Sequence, residues 1–272
     1  MNGKIPERLN VLFVGNSFSL NTSRFLPKIA FDRGVKEVKI GVLYVGGCSI
    51  KSHYEFAMED KKIYEYFVST DGTWEYEQEG WKDGMGKRAS SREALEEGPW
   101  DYVVIQNYHN GGSRHVKPEA YEKLSPLIQY IKDIVGNEPK IVFNVPWIES
   151  RTDGNYPDLY EQGGHRMILF ARIMETMRNV VLAKNPVDMI SPTGTAVQNA
   201  RFNGMGEMSA DGCHINIPRG HLVVALAFFK ALTGVDIDGL EWLPDEVTEE
   251  EKQLAIQSAN DAIKTPNYVT MH

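Results

Sequence analysis

The sequence predicts an α/β fold in which a parallel β-sheet is covered on both faces by helices. Two observations lead there: short, wholly apolar runs recur along the chain and end in turn-forming residues, and longer stretches with helical periodicity separate them. Strands buried on both faces read as continuous apolar runs, and their alternation with helices is the sequence form of the crossover unit that builds parallel sheets.

The first strand, Leu9 to Val14, runs into the turn Gly15-Asn16-Ser17, and a helix fits Thr22 to Arg33. Val38 to Val45 gives a second strand, Asp101 to Ile105 a third and Lys140 to Val145 a fourth, while Met189-Ile190 before Ser191-Pro192 ends a fifth. Helices are expected over Pro118 to Val135, Asp158 to Ala183 and Pro218 to Thr233, with a closing helix over Asp245 to Lys264. One segment breaks the alternation: Ile63 to Val68, the turn Thr70-Asp71-Gly72-Thr73 and Trp74-Glu75-Tyr76 read as a hairpin with an Asp-Gly turn. It falls between the second and third core strands, so a hairpin-containing insertion over residues 51–98 is expected at the rim of the sheet. No repeat, low-complexity tract or linker divides the chain, and one domain over residues 1–272 is expected.

Composition narrows the classes of function. A chain of 272 residues with 42% hydrophobic content can bury one large core. A formal charge of −8 without a Lys/Arg run offers nucleic acid or an anionic membrane surface no attraction, whereas a small neutral or cationic substrate is accommodated. No apolar run approaches the roughly 18 to 20 residues of a membrane span. Met1 to Asn10 lack the charged-then-apolar order of a secretory leader, so a cytoplasmic location is expected, and a secreted or periplasmic one if a leader has been trimmed. Cys48 and Cys213 are too few for a disulfide framework and wrongly spaced for zinc, so two small buried thiols are expected rather than a bridge.

In an open parallel sheet, ligands bind beyond the carboxyl ends of the strands. The chemically suggestive residues fall there: Ser17 after the first strand, Gly46-Gly47-Cys48-Ser49 after the second, Gln106 to Gly112 after the third and Pro146-Trp147 after the fourth. Asp211-Gly212-Cys213-His214 adds an acid and an imidazole just before an apolar helix. A serine hydroxyl is a weak nucleophile until a base takes its proton, and imidazole, titrating near 6.5 when unperturbed, suits transfer in both directions. Asp211, three residues before His214, can accept from one ring nitrogen while the other faces Ser17. Each residue has a plainer job available: Ser17 can cap the first helix, Gly46-Gly47 can be a simple turn, and Asp211 and His214 can shape a helix start that Asn216 caps and Pro218 begins.

Taken together, the Gly15-to-Ser19 block, the Gly46-Gly47 pair, the Gln106-to-Asn110 segment and Asp211-x-x-His214 resemble the ordered blocks of the SGNH hydrolase superfamily, also called GDSL-like lipases and esterases, in a carbohydrate-esterase-like branch. The resemblance runs from Val11 to about Gly234. It implies a three-layer α/β/α, flavodoxin-like fold, ester hydrolysis and no metal or organic cofactor. Carried over, it makes Ser17 the nucleophile, His214 the general base and acid, and Asp211 the group that orients the imidazole. It builds the oxyanion hole from the Ser17 amide, the Gly47 amide and a side chain of the third block. That block reads Gln106-Asn107-Tyr108-His109-Asn110 instead of Gly-x-Asn-Asp; counting from the strand end favours Asn110, with Gln106 and Asn107 as the other candidates.

Further residues have smaller expectations. His109, His115 and His165 lack ligand spacing and read as solvated or substrate-facing; His53 reads as a polar helix-start residue that could line the pocket. Trp147 and Tyr108 are candidate apolar or sugar-stacking walls, and Trp74 and Trp81 belong to the packing of the insertion. Three functions compete: an esterase for small, acetyl-like groups on an acyl ester or acetylated sugar, a flavodoxin-like protein whose Asn16-to-Thr22 turn cradles a phosphate or nucleotide, and a catalytically silent carbohydrate-binding protein.

Overall fold

The computed structural model describes residues 3–74, 84–107, 116–148, 166–209, 211–216 and 218–272. Seven strands form one mixed sheet: β1 (Arg8–Gly15), β2 (Glu37–Tyr44), β3 (Tyr64–Ser69), β4 (Lys87–Ala89), β5 (Tyr102–Ile105), β6 (Lys140–Asn144) and β7 (Met189–Ser191), in the order β4-β3-β2-β1-β5-β6-β7. The five strands β2, β1, β5, β6 and β7 are parallel, so Tyr44, Gly15, Ile105, Asn144 and Ser191 all end on one edge. From β1 the chain first winds outward through β2, β3 and β4, then crosses to β5 on the other side. The crevice between the loops after β1 and β5 is therefore the topological switch point, where doubly wound sheets take their ligands.

Burial explains the central strand. Every residue of β1 after Arg8 is buried, with Val11 and Phe13 facing one layer and Leu12 and Val14 the other. The Val11 and Phe13 face packs on α1 (Ser17–Ser23) and α2 (Leu26–Asp32). The opposite face packs on α3 (Ile50–Met58), α4 (Ser91–Glu96), α5 (Leu124–Val135) and α6 (Arg166–Thr176), the last running on as a π-helical stretch, Met177–Leu182. The first layer is completed by α7 (Thr193–Ala200), α8 (Arg219–Thr233) and α9 (Glu249–Lys264). Helix α8 is apolar nearly all round because the sheet lies beneath it, with Phe228 5.0 Å from Phe13, while α7 and α9 flank it. Among the described residues no helix is long and apolar enough to cross a membrane.

The expected alternation of strands and helices, and the three layers, are present. The hairpin is not built as expected. β3 pairs antiparallel with β2 on one side and with β4 on the other, so the insertion extends the main sheet and makes it mixed. The Asp-Gly turn does form, with Gly72 at φ +89° and Asp71 Oδ1 accepting from the Thr73 amide and hydroxyl at 2.9 and 2.7 Å. Trp74 then leaves strand geometry and turns inward, 1% exposed, donating from Nε1 to the Arg24 carbonyl at 2.9 Å; residues 75–83 lie outside the described residues. The helix expected over Thr22 to Arg33 is two helices, because Pro27 lacks the N–H a continuous helix needs and suits the first turn of a new one. Pro118–Tyr121 is a 3₁₀ turn that precedes α5, and α9 starts at Glu249 because Thr248 and Glu251 form a capping box there. The part of the Asp158-to-Ala183 helix before Arg166 lies outside the described residues.

The close meeting of β6 and α7 sets the spacing of the parallel edge. A Cβ built on Gly194 would lie 2.2 Å from the Pro146 carbonyl oxygen, a backbone atom with no freedom to turn away. Gly194→Ala should therefore cost about 1 to 3 kcal/mol, seen as a lower urea midpoint with unchanged slope. An unchanged midpoint would show that α7 can slide on the Pro146 turn.

Candidate active site

The turn after β1 is organised by Asn16, not by Ser17. Asn16 is the N-cap of α1: its Oδ1 accepts the Phe18 amide at 3.0 Å, and its Nδ2 donates to the Cys48 carbonyl at 3.1 Å, tying the serine turn to the glycine turn after β2. The capping job open to Ser17 is thus taken, and the Ser17 hydroxyl points elsewhere. It lies 2.7 Å from His214 Nε2 across a sequence separation of 197 residues.

His214 is held from three directions. Asp211 Oδ1 accepts the Cys213 and His214 amides at 3.0 and 2.7 Å, and Oδ2 lies 2.6 Å from His214 Nδ1. The Ser209 hydroxyl accepts the Gly212 amide at 2.6 Å, closing the loop that carries the acid and the ring. Trp147 donates from Nε1 to the Cys213 carbonyl at 3.0 Å and stacks on Phe18, with centroids 4.1 Å apart and planes 20° from parallel. One indole thus joins the end of β6, the histidine loop and the residue beside Ser17. At 1% exposure it is packing, which corrects its expected role as a stacking wall.

The electrostatics fix the tautomer. Partial burial pushes the Asp211 carboxyl up, but hydrogen bonds from the His214 ring and from the His214 and Cys213 amides outweigh it and hold the group below its ordinary value. An ionised carboxylate only accepts, so the proton between the two sits on His214 Nδ1 and leaves Nε2 bare to receive one from the Ser17 hydroxyl. The His214 and Asp211 side chains are 36% and 54% exposed, so a substrate and water can reach them.

Gly47 turns the second loop at φ +62°, which favours glycine, and Cys48 N closes that turn on the Val45 carbonyl at 3.1 Å. Among the described residues no acceptor takes the N–H of Ser17 or of Gly47. The third-block candidates divide. Asn107 Oδ1 accepts the Ile50 amide at 3.2 Å, so this side chain is engaged with the start of α3. Gln106 is fully buried beneath the turn, its Oε1 shared by the Ser19 hydroxyl at 3.3 Å and Asn144 Nδ2 at 3.2 Å, while the donor nitrogens Gln106 Nε2 and Asn107 Nδ2 are buried with no partner among the described residues. Asn110, Tyr108, His109, His115 and His165 lie outside the described residues. Cys48 and Cys213 are thiols, Cys48 buried and pushed up to about 12 by that burial, and Cys213 half-buried. Among the described residues no group of three or more His, Cys, Asp or Glu could hold a metal ion. The start of α8 differs from the expected one by a position or two: Pro218 is the N-cap rather than a first-turn residue, and Asn216, two residues further out, still accepts the Gly220 amide at Oδ1 at 3.1 Å.

Two other histidines are structural. His53 is fully buried in α3, stacked on Tyr64 with Nδ1 2.9 Å from its hydroxyl, and so does not line a pocket. His221 in α8 is 2% exposed, with Nε2 3.1 Å from Asn21 Nδ2. Burial lowers His53 to about 3, and burial followed by the nearby Arg24 charge lowers His221 to about 3. In the unfolded chain each takes a proton near pH 6.5, whereas in the folded chain neither does until about pH 3. Stability should hold above that upper value and fall as pH drops through the window, by up to about 1.4 kcal/mol per pH unit for each ring. Urea unfolding between about pH 7 and pH 4.5 should show this fall, and a variant carrying His53→Gln and His221→Gln should show less of it. An equal fall in both proteins would remove the two rings as its cause.

Comparison with known proteins agrees at the level of fold. The structure of a DUF4886 family protein from Bacteroides uniformis ATCC 8492 superposes with a TM-score of 0.86 at 25% identity, covering 97% of this chain and 97% of that one. Looser superpositions are found with TesA (TM-score 0.46, 16% identity, 82% of this chain and 97% of that one). A GDSL-like lipase from Bacteroides thetaiotaomicron VPI-5482 gives a TM-score of 0.42 at 12% identity, covering 82% of this chain and 86% of that one. Similarities as loose as these two carry no weight for the chemistry. No curated protein matches the chain. Its sequence matches a family profile over residues 10–262, nearly its whole length, and the chain therefore belongs to the family described as Domain of unknown function (DUF4886).

Proposed function

We propose that the protein is a serine ester hydrolase of the SGNH type that removes small, acetyl-like acyl groups, with an acetylated carbohydrate as the candidate substrate. The observation that carries this reading is the 2.7 Å contact between the Ser17 hydroxyl and a histidine whose other nitrogen is 2.6 Å from a carboxylate. In the proposed reaction Ser17 Oγ attacks the ester carbonyl carbon while its proton passes to His214 Nε2. Asp211 stabilises the imidazolium so formed. The oxygen that becomes negative is met by the Ser17 and Gly47 amides and by the Asn110 side chain. Collapse breaks the bond to the alcohol, which leaves with the proton from His214, and water then releases the acyl group by the same steps in reverse roles.

The phosphate-cradle alternative has three fewer side-chain donors than its turn offers: the Ser19 hydroxyl goes to Gln106, Thr22 Oγ1 donates to the Phe18 carbonyl at 2.9 Å, and Asn16 Nδ2 donates to the Cys48 carbonyl. Trp147, buried against Phe18, is not available as a sugar-stacking wall.

The wild-type protein should hydrolyse p-nitrophenyl acetate and be labelled at Ser17 by a fluorophosphonate, whose phosphorus takes the serine oxygen as fluoride leaves. Ser17→Ala should lose both. Equal turnover by the two proteins would refute the nucleophile, and an inert, unlabelled wild type would favour the silent carbohydrate-binding alternative. Asp211→Asn should fold normally yet turn over about a thousandfold or more slowly, because an amide no longer enforces the productive tautomer. Unaltered rates in that variant would remove Asp211 from the triad.

A further inference from the structure

Beneath the serine turn lies a polar side chain that the chemistry above does not use. Asn144 ends β6 with no exposed surface, after the apolar run Ile141-Val142-Phe143. Its amide is fully engaged: Nδ2 donates to Thr22 Oγ1 at 3.0 Å and to Gln106 Oε1 at 3.2 Å, and Oδ1 accepts from Thr193 Oγ1 at 2.7 Å. One residue therefore joins α1, the end of β5, the end of β6 and the start of α7. Thr22 and Gln106 each have a further bond of their own, and Thr193 has a second acceptor within reach of its one hydroxyl proton. Thr22 Oγ1 donates to the Phe18 carbonyl at 2.9 Å, Gln106 Oε1 accepts from Ser19 Oγ at 3.3 Å, and Thr193 Oγ1 lies 2.6 Å from the Val145 carbonyl. Losing the Asn144 amide leaves none of these three atoms without a partner.

Helix α1 has seven residues, too few to hold a fixed place through its own hydrogen bonds. Its inward side is fastened through Thr22 and Ser19, both to the Asn144 and Gln106 pair. The Asn144 amide is fully satisfied within this buried network, although Gln106 Nε2 has no partner in it, and hydrogen bonds of this kind add modest net stability while restricting the structure to one arrangement. Proton transfer from Ser17 is sensitive to that restriction, since misplacement by about 1 Å can cost up to about a hundredfold in rate. We propose that Asn144 is a positioning residue, which, through Thr22, holds α1 so that the Ser17 hydroxyl stays within reach of His214. It touches neither substrate nor reacting atoms, and the role rests on the ester-hydrolase reading above.

The test is the saturation kinetics of fluorophosphonate labelling at Ser17 for wild type, Asn144→Leu, Thr22→Val and the double variant. Each single variant should lower the maximal labelling rate about tenfold or more, with the half-saturating concentration within about twofold of wild type. The double variant should be no slower than the slower single, because both changes cut the same bond. Where Asn144→Leu fails to fold, Thr22→Val carries the test alone. A labelled wild type with unchanged maximal rates in the variants overturns the positioning role and leaves the esterase reading intact. Losses that appear only as raised half-saturation, or only in proportion to unfolded protein, overturn it as well. An unlabelled wild type overturns the esterase reading and this role with it.

Discussion

The arrangement depends on one contact between two short loops that meet from opposite ends of the chain: the Ser17 hydroxyl against His214 Nε2, 197 residues apart. Neither loop has much structure of its own, so the tolerance of a few tenths of an ångström that proton transfer demands must come from what lies around them. The sheet supplies the first part by ending its parallel strands on one edge and dividing at the β1–β5 switch point. Asn16 ties the serine turn to the glycine turn, Trp147 ties the end of β6 to the histidine loop, and the Ser209–Gly212 bond closes the histidine loop on itself. The polar floor of Gln106 and Asn144 extends the same principle below the nucleophile.

The distribution of ionisable groups follows from depth. Among the described residues three histidines sit in or beside this region, and two of them are buried so deeply that they remain neutral to about pH 3. His214 alone is half-exposed with a carboxylate against one nitrogen and a hydroxyl against the other. The Cys48 thiol, although beside Gly47, is pushed up to about 12 and stays protonated at neutral pH. Burial thus silences His53, His221 and Cys48 for acid–base or nucleophilic work at neutral pH.

The parallel strands were legible in the sequence because each is buried on both faces and leaves an uninterrupted apolar run. The antiparallel edge was not. Asp71-Gly72 marks a turn, but Trp74 turns inward after it, and β3 pairs with β2 and with the more distant Lys87–Ala89, partners that tertiary packing and not a local pattern selects. Ser17, Asp211 and His214 were legible because their residue types, order and loop positions have few joint explanations. Of their supports, Asn16 before Ser17 carries a local signal, an N-cap signature that assigns the cap and releases the serine. Trp147 has no such local signal, since an indole at a strand end is equally apt to line a cleft or fill a core. Likewise, no local pattern distinguishes a Gln106 that faces substrate from one that accepts from Ser19 and Asn144 below it.

The tautomer of His214 tests the central contact most directly, read by nitrogen-resolved NMR of the neutral imidazole and assigned with a His214→Gln variant. The account predicts a neutral ring with its proton on Nδ1, toward Asp211, and a bare Nε2 toward Ser17. A ring protonated on Nε2 would contradict it.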